Sequence, residues 1–189
     1  MYLDLNQTEE EIYRLAKPYL QNIRDGETHV TNALEFAFRL LETEPGERDI
    51  VVPAIILHDV GWDQVPEDIM VKAFGPEADM SLTRIHEEIG LKIAANILEK
   101  VGYAVSKASE ILKIIDGHDT RQEPLSINDK IVKDADKLTR YSNCFLIFAG
   151  ILGLKAAEYA SYLESLAGGW FFLPASKKMA RVELKQWQG

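Results

Sequence analysis

Ile85, Ile89, Ile93 and Ile97 stand four residues apart, a repeat close to the 3.6-residue helical turn and incompatible with the two-residue alternation of a strand. The same three- and four-residue spacing recurs along most of the chain, and alternating stretches are scarce. The sequence therefore predicts an all-α protein, a helical bundle. With 189 residues, 47% of them hydrophobic, there is enough apolar material for one substantial core. No Gly/Ser linker or internal repeat interrupts it, so residues 1–189 read as a single domain.

A first helix is expected over about Glu9 to Arg24. A second begins near Thr28, with His29, Ala33, Phe36, Ala37 and Leu40 on one face. "EPGERD" closes it. "IVVPAIILHD" reads as a buried helix: Pro53 would remove a ladder donor from a strand but fits the first turn of a helix. Residues 61–83 look like a long loop near a site, with Ser81 or Thr83 capping the helix that carries the isoleucines and Gly102 ending it. His86 falls on the edge of the isoleucine stripe. Another helix is expected from about Ser106 to Asp116. Ser126 and Asp129 resemble a capping box before a helix in which Ile131, Val132, Ala135, Leu138 and Thr139 face inward beside Asp136. Two more apolar helical segments follow, with Cys144 in the core and Gly168–Gly169 as a turn. "WFF" at 170–172 is expected to pack onto the body or a second subunit, and "KKMAR" to be a solvated face.

Charge and apolar run length exclude several roles. A net charge of −9 and a pI near 5 repel polyanions, so broad binding to duplex nucleic acid is not expected. No apolar run approaches the roughly 20 residues that span a bilayer. A single cysteine, and an N-terminus without a basic-then-apolar segment, favour the cytoplasm.

All four histidines, His29, His58, His86 and His118, lie on or at the ends of apolar-striped helices. One buried histidine is ordinary; four, with Asp59 and Asp136 at helix edges, point to a metal centre. Imidazole nitrogen and carboxylate oxygen suit iron, manganese, zinc and nickel, whereas an all-oxygen cage would suit calcium or magnesium. Neighbours on a helix point about 100° apart, so His58 and Asp59 reach one ion only if the helix ends there, as Gly61 suggests. The two carboxylate oxygens of Asp59 could also bridge two ions. Lys137, Arg140 and Arg121 are candidates for holding phosphate oxygens. Asp63, or alternatively Asp119, could orient water or protonate a leaving group.

His29, His58-Asp59 and Asp136 within "IVKDADKLTR" together resemble the H...HD...D signature of the HD superfamily of metal-dependent phosphohydrolases. His86, opening "HEEIGLKIAANIL", and His118, in "ILKIIDGHD", resemble the two extra histidines of its dinuclear branch. The resemblance covers about residues 20–145, leaving 146–189 as C-terminal helices and tail. It implies a bundle of the HD-domain type and two divalent ions, iron first, with manganese, nickel or zinc as alternatives. It places His29, His58, Asp59 and Asp136 on one ion, and His86 with His118 on the other, with Asp59 bridging. Asp134 is the rival to Asp136. The activity implied is hydrolysis of a nucleotide or other small phosphate ester by metal-activated water, with Asp59 and Asp63 as catalytic residues, in a possible homo-oligomer. The order of ligands also resembles the HD-type mixed-valent di-iron oxygenases, which act on a small polyol or phosphonate. The Tyr and Glu pair those enzymes carry ahead of the first histidine has no match here. A non-catalytic module on the same scaffold is a third reading, opposed by all six ligand positions being filled.

Overall fold

The computed structural model describes residues 4–21, 27–66, 73 and 79–187, and among these residues every regular element is a helix. Helix α1 (Gln7–Leu20) is fixed by a capping box: Asn6 Oδ1 accepts from the Thr8 and Glu9 amides, and Glu9 Oε2 accepts from the Asn6 amide. It ends before Arg24, which lies outside the described residues. Helix α2 (Glu27–Leu41) buries His29, Ala33, Phe36, Ala37 and Leu40 on one face, as its periodicity predicts.

Helix α3 (Arg48–Leu57) is the "IVVPAIIL" segment. Pro53 lies in its second turn, not its first. The Asp49 carbonyl that an amide at position 53 would have bonded instead accepts from Tyr103 Oη at 2.5 Å. That outside donor is what lets an interior proline stay in the helix. A 3₁₀ segment (Val60–Gln64) follows the doublet and packs on α4 (Met80–Lys100). The cap of α4 is Asp79, ahead of Ser81 and Thr83, with Asp79 Oδ1 accepting from the Ser81 amide at 2.9 Å. Of the expected loop, residues 67–72 and 74–78 lie outside the described residues.

On α4 the isoleucine row is not the buried face. Steps of four advance about 400°, so the row winds about 40° per step around the helix. Ile85, Ile89 and Ile93 end half-buried, whereas His86, Gly90 and Ala94 are buried; His86 is thus at the centre of the packed face, not its edge. The 3₁₀ segment lies directly against it. A Cβ on Gly61 would collide with the His86 carbonyl oxygen and come within 2.6 Å of the Gly90 nitrogen.

Helices α5 (Val105–Ile115) and α6 (Ile127–Thr139) complete the layer around α3, which packs on both, while α2 packs on α6. Ser126 caps α6, its Oγ accepting from the Asp129 amide at 3.2 Å. Helices α7 (Phe145–Ile151), α8 (Ala156–Trp170) and α9 (Pro174–Leu184) follow, with a closing 3₁₀ turn at Lys185–Trp187. One cluster of buried side chains runs from Ile12 to Leu184 and joins these last helices to the rest. Tyr141 Oη donates to the Leu163 carbonyl at 2.8 Å, and Trp187 stacks on Phe145 at 4.4 Å.

Gly168 and Gly169 do not form a turn; they sit in the last turn of α8. The end of that helix is held from outside, since Lys137 Nζ donates to the Trp170 carbonyl at 2.8 Å, compensating the weak helix preference of two glycines. "WFF" packs onto the body, with Phe171 buried 5.5 Å from the Tyr141 ring. Among the described residues no single helix is long and apolar enough to cross a membrane.

Candidate metal centre

Helix α3 ends at Leu57, so His58 and Asp59 leave it where the backbone turns into the 3₁₀ segment, and both reach one centre. His29 comes from the first turn of α2, His86 from α4, His118 from the turn after α5 and Asp136 from α6. All are buried.

These side chains fall into two groups. His29 Nε2 lies 3.2 Å from His58 Nε2, 3.2 Å from Asp136 Oδ1 and 3.3 Å from Asp59 Oδ2. His58 Nε2 is also 3.3 Å from Asp59 Oδ2. In the second group His86 Nε2 and His118 Nε2 are 3.2 Å apart, and Asp59 Oδ1 lies 3.7 and 3.3 Å from them. Asp59 thus turns one oxygen to each group. Asp119 Oδ2 joins the second, 3.6 Å from both imidazole nitrogens.

The donor atoms fit metal ions. His58 Nδ1 bonds the Ile55 carbonyl at 2.7 Å and His118 Nδ1 the Ile115 carbonyl at 3.0 Å. In the neutral rings the protons are therefore on Nδ1, and bare Nε2 lone pairs face other nitrogens and carboxylate oxygens. Such an arrangement is repulsive unless protons or a cation fill it. Two nitrogens held about 2.1 Å from one ion lie about 3.0–3.4 Å apart, the spacing seen in both groups. His86 is oriented differently: its ring stacks on Trp62 at 3.9 Å, and its buried Nδ1 has no hydrogen-bond partner among the described residues.

Asp134, the rival on α6, takes no part. Its carboxylate accepts from the Phe172 and Leu173 amides at 2.8–3.1 Å, fastening the segment before α9. Two residues along a helix is about 200°, so Asp136 faces the opposite way, into the ligands. Asp63 is half-buried on the 3₁₀ segment and belongs to neither ligand group. Arg121 is engaged structurally, Nη2 donating to Asp129 at 2.8 Å and Nη1 to the Lys113 and Asp116 carbonyls, and it lines the same cavity as Lys137 and Arg140.

Arg140 and Lys137 do reach the centre's surroundings. Arg140 Nη1 lies 3.4 Å from Asp136 Oδ2, and its guanidinium packs on Phe148 and Trp170 at 5.1 and 5.3 Å. Both cations, with His118 and Asp119, line a cavity of about 550 Å³. Two buried residues supporting the centre carry no motif. Glu87 accepts from the Asp119 and Thr120 amides, Thr120 Oγ1 and Arg84. Lys133 donates to the carbonyls of Gly117, His118 and Arg121 at 2.6–2.9 Å. Between them they hold the turn bearing His118 and Asp119, where Gly117 adopts φ +101°. Glu87 follows His86 in "HEE", and that adjacency is the only sequence signal for either residue.

Without metal, protons take the cations' place. Burial disfavours charge on His58, but Asp59 and Asp136 outweigh it and raise its pKa to about 10. His29 is likewise held well above its ordinary value against burial, by Asp136 and Asp59, and His118 is raised against burial by Asp119 and Asp59. Burial and the His118 charge push His86 down. Despite burial, His58 and His118 hold Asp59 well below the carboxylate range, as Arg140 and His29 hold Asp136.

The raised histidines give stability that is full below about pH 6.5, the unfolded value, and lost as pH rises through their folded values. Metal-stripped protein is therefore expected to lose up to about 1.4 kcal/mol per pH unit for each of His29 and His58 between about pH 6.5 and 8. Above that range Lys137, lowered by burial to about 8, acts in the opposite sense. Ligation needs unprotonated imidazole, so the gap in Tm between metal-loaded and stripped protein should widen across this window. A gap that narrowed would contradict the charge assignment.

Comparison with known proteins agrees with this geometry. The HD domain family model matches residues 26–141. The crystal structure of a predicted HD superfamily hydrolase from an uncultured Thermotogales bacterium, at 1.45 Å resolution, is similar over 96% of this chain and 92% of that chain. The TM-score is 0.64 at 21% identity, a likeness of fold. No curated protein matches.

Proposed function

The chain belongs to the HD domain family, and on that premise we propose that it is a metal-dependent phosphohydrolase acting on a nucleotide or other small phosphate ester. Family membership alone does not fix a substrate. The observation that supports the reading is Asp59, whose two oxygens face separate histidine pairs as a bridge between two cations would.

His29, His58, Asp59 and Asp136 would hold one ion, and His86, His118 and Asp59, with Asp119 beside them, the other. Imidazole and carboxylate donors suit iron, manganese, nickel and zinc alike, and the family resemblance puts iron first. Divalent ions there would bring a bound water's pKa to about 7 and offset charge developing on the phosphoryl group. Arg140, kept cationic by Asp136 despite its burial, faces the cavity and would hold phosphate oxygens with Lys137. Asp119 Oδ2, on the cavity side of the second group, takes the proton-handling role for which the sequence offered both Asp63 and Asp119.

The test is elemental analysis of protein purified without a histidine tag or added metal, followed by assay on phosphate esters. About two ions per chain with ester hydrolysis, abolished in His58→Ala, is the expected result. If both ions are iron and oxygen is consumed with a polyol or phosphonate, the oxygenase reading replaces it. Metal-free protein whose activities survive His58→Ala would overturn both.

A further inference from the structure

We propose that the ester this site cleaves has an apolar leaving group, an alkyl or aryl alcohol seated between α7 and α8, and not a sugar or nucleoside. The inference rests on the phosphohydrolase reading for the phosphate end of the substrate and on the cavity wall for the other end.

The cavity, at about 550 Å³, has room for a small organic ester beyond its phosphate. Its wall continues from the ligands without a break: Asp136 touches Arg140, and Arg140 packs on Phe148 and Trp170. From there Phe148 and Ile151 of α7, Leu152 capping its end, and Leu163, Leu166 and Trp170 of α8 line it. Ile151 and Leu152 stand three and four residues after Phe148, and Leu163, Leu166 and Trp170 are three, four and seven apart, so each set forms one helical stripe. An amphipathic stripe ordinarily turns to another protein element. Among the described residues these two turn to open space, and Phe148, Ile151, Leu152, Leu166 and Trp170 remain half-buried there.

The polar inventory of this wall is short. Residues 145–170 contain three charged side chains, Lys155, Glu158 and Glu164, and none lines the cavity. The polar side chains these two helices contribute are Tyr159 and Tyr162; the other polar lining away from the ligands, Thr83, Arg121, Gln122, Glu123 and Lys133, comes from α4, α6 and the loop between α5 and α6, opposite this wall. A sugar or base seated against α7 and α8 would leave most of its donors and acceptors unpaired, which binding sites penalise heavily. An alkyl or aryl group loses nothing there and leaves water.

In the reaction, the oxygen of water bonds phosphorus and the ester P–O bond breaks. One proton of that water ends on the departing alkoxide, giving an alcohol, and the other stays on inorganic phosphate. Arg140 and Lys137 face the phosphate, and the alcohol carbon chain lies along the helices.

The experiment uses n-alkyl phosphonates from methyl to octyl, whose P–C bond is not hydrolysed, titrated into the metal-loaded full chain by calorimetry. Affinity is expected to rise about threefold to fourfold per methylene until the cavity is filled. Leu166→Asn and Ile151→Asn should flatten that slope and leave methylphosphonate affinity unchanged, and Leu166→Met, as a folding control, should keep it. A flat series in the parent protein, or nucleoside monophosphates bound more tightly than octylphosphonate, would overturn the proposal. Turnover of the corresponding alkyl phosphates separates the two layers. A steep phosphonate series with no ester hydrolysed would keep the pocket assignment and sink the phosphohydrolase reading, whereas hydrolysis without chain-length dependence would do the reverse.

Discussion

Asp59→Ala is expected to lose both metal ions, whereas His58→Ala and His118→Ala should each lose one. The difference follows from the carboxylate's position: Oδ2 lies 3.3 Å from His29 and His58, and Oδ1 lies 3.3 Å from His118. Removing either histidine takes a nitrogen from one group, but removing Asp59 takes an oxygen and a negative charge from both. What remains is two histidine pairs whose Nε2 atoms stand 3.2 Å apart with less anionic charge between them. Stripped protein should suffer as well, by about 3–5 kcal/mol, because the buried imidazolium groups lose the anion that compensates them. Elemental analysis after gel filtration, with circular dichroism to confirm helix content, measures the effect. A folded Asp59→Ala protein that keeps one ion per chain would show that this aspartate does not join the two groups.

Which parts of this centre the sequence reveals depends on the physical character of each signal. The doublet is legible because a long apolar run and a glycine bracket it, and α3 does end there. Asp136 is preferred to Asp134 by the family resemblance, and the structure gives each a distinct partner: His29 for one, the amides before α9 for the other. Ser126 is recognisable as a cap because capping is local.

Nonlocal features are not legible. Asp119 stands in the sequence only as an alternative to Asp63 within a polar turn, and its place beside the ligands follows from that turn folding back on α4, which brings its carboxylate to His86. Lys133 carries no signal in the sequence, and its burial becomes intelligible only when three carbonyls of the distant turn surround it. The isoleucine row misplaces His86 because a strict repeat of four drifts around the helix, and Gly61, not the row, decides which face is closely packed. The apolar faces of α7 and α8 look like ordinary core stripes, since periodicity records that a face is apolar and not whether protein or a cavity lies opposite. The same limit applies to "WFF": Phe171 enters the core while its neighbours Trp170 and Phe172 line the cavity.

Glu87→Leu is expected to destabilise the protein by about 3–5 kcal/mol and to remove one metal ion while the other stays. Glu87 is fully buried, and its two oxygens accept four hydrogen bonds: the Asp119 and Thr120 amides at 2.9 and 3.0 Å, Thr120 Oγ1 at 2.7 Å and Arg84 at 2.8 Å. Leucine fills similar space but accepts nothing, so two backbone N–H groups lose their partner. Each such orphan costs about 1–3 kcal/mol. Because Glu87 follows His86 on α4 and bonds the residues after His118, its loss also releases the strut that sets the spacing of the second histidine pair. His29, His58 and Asp136 come from α2, the end of α3 and α6, so the first group should keep its ion. Glu87→Gln should be milder, since one oxygen can still accept from both amides. Burial opposes its charge, but His118 and Thr120 hold the Glu87 pKa below the ordinary value. Its contribution is therefore full above the unfolded carboxylate pKa and disappears as pH falls through the folded one. Chemical denaturation together with metal counting on folded protein gives both numbers. Destabilisation with both ions retained would make Glu87 a support for the fold alone; loss of both ions would mean that the two groups are not independently held.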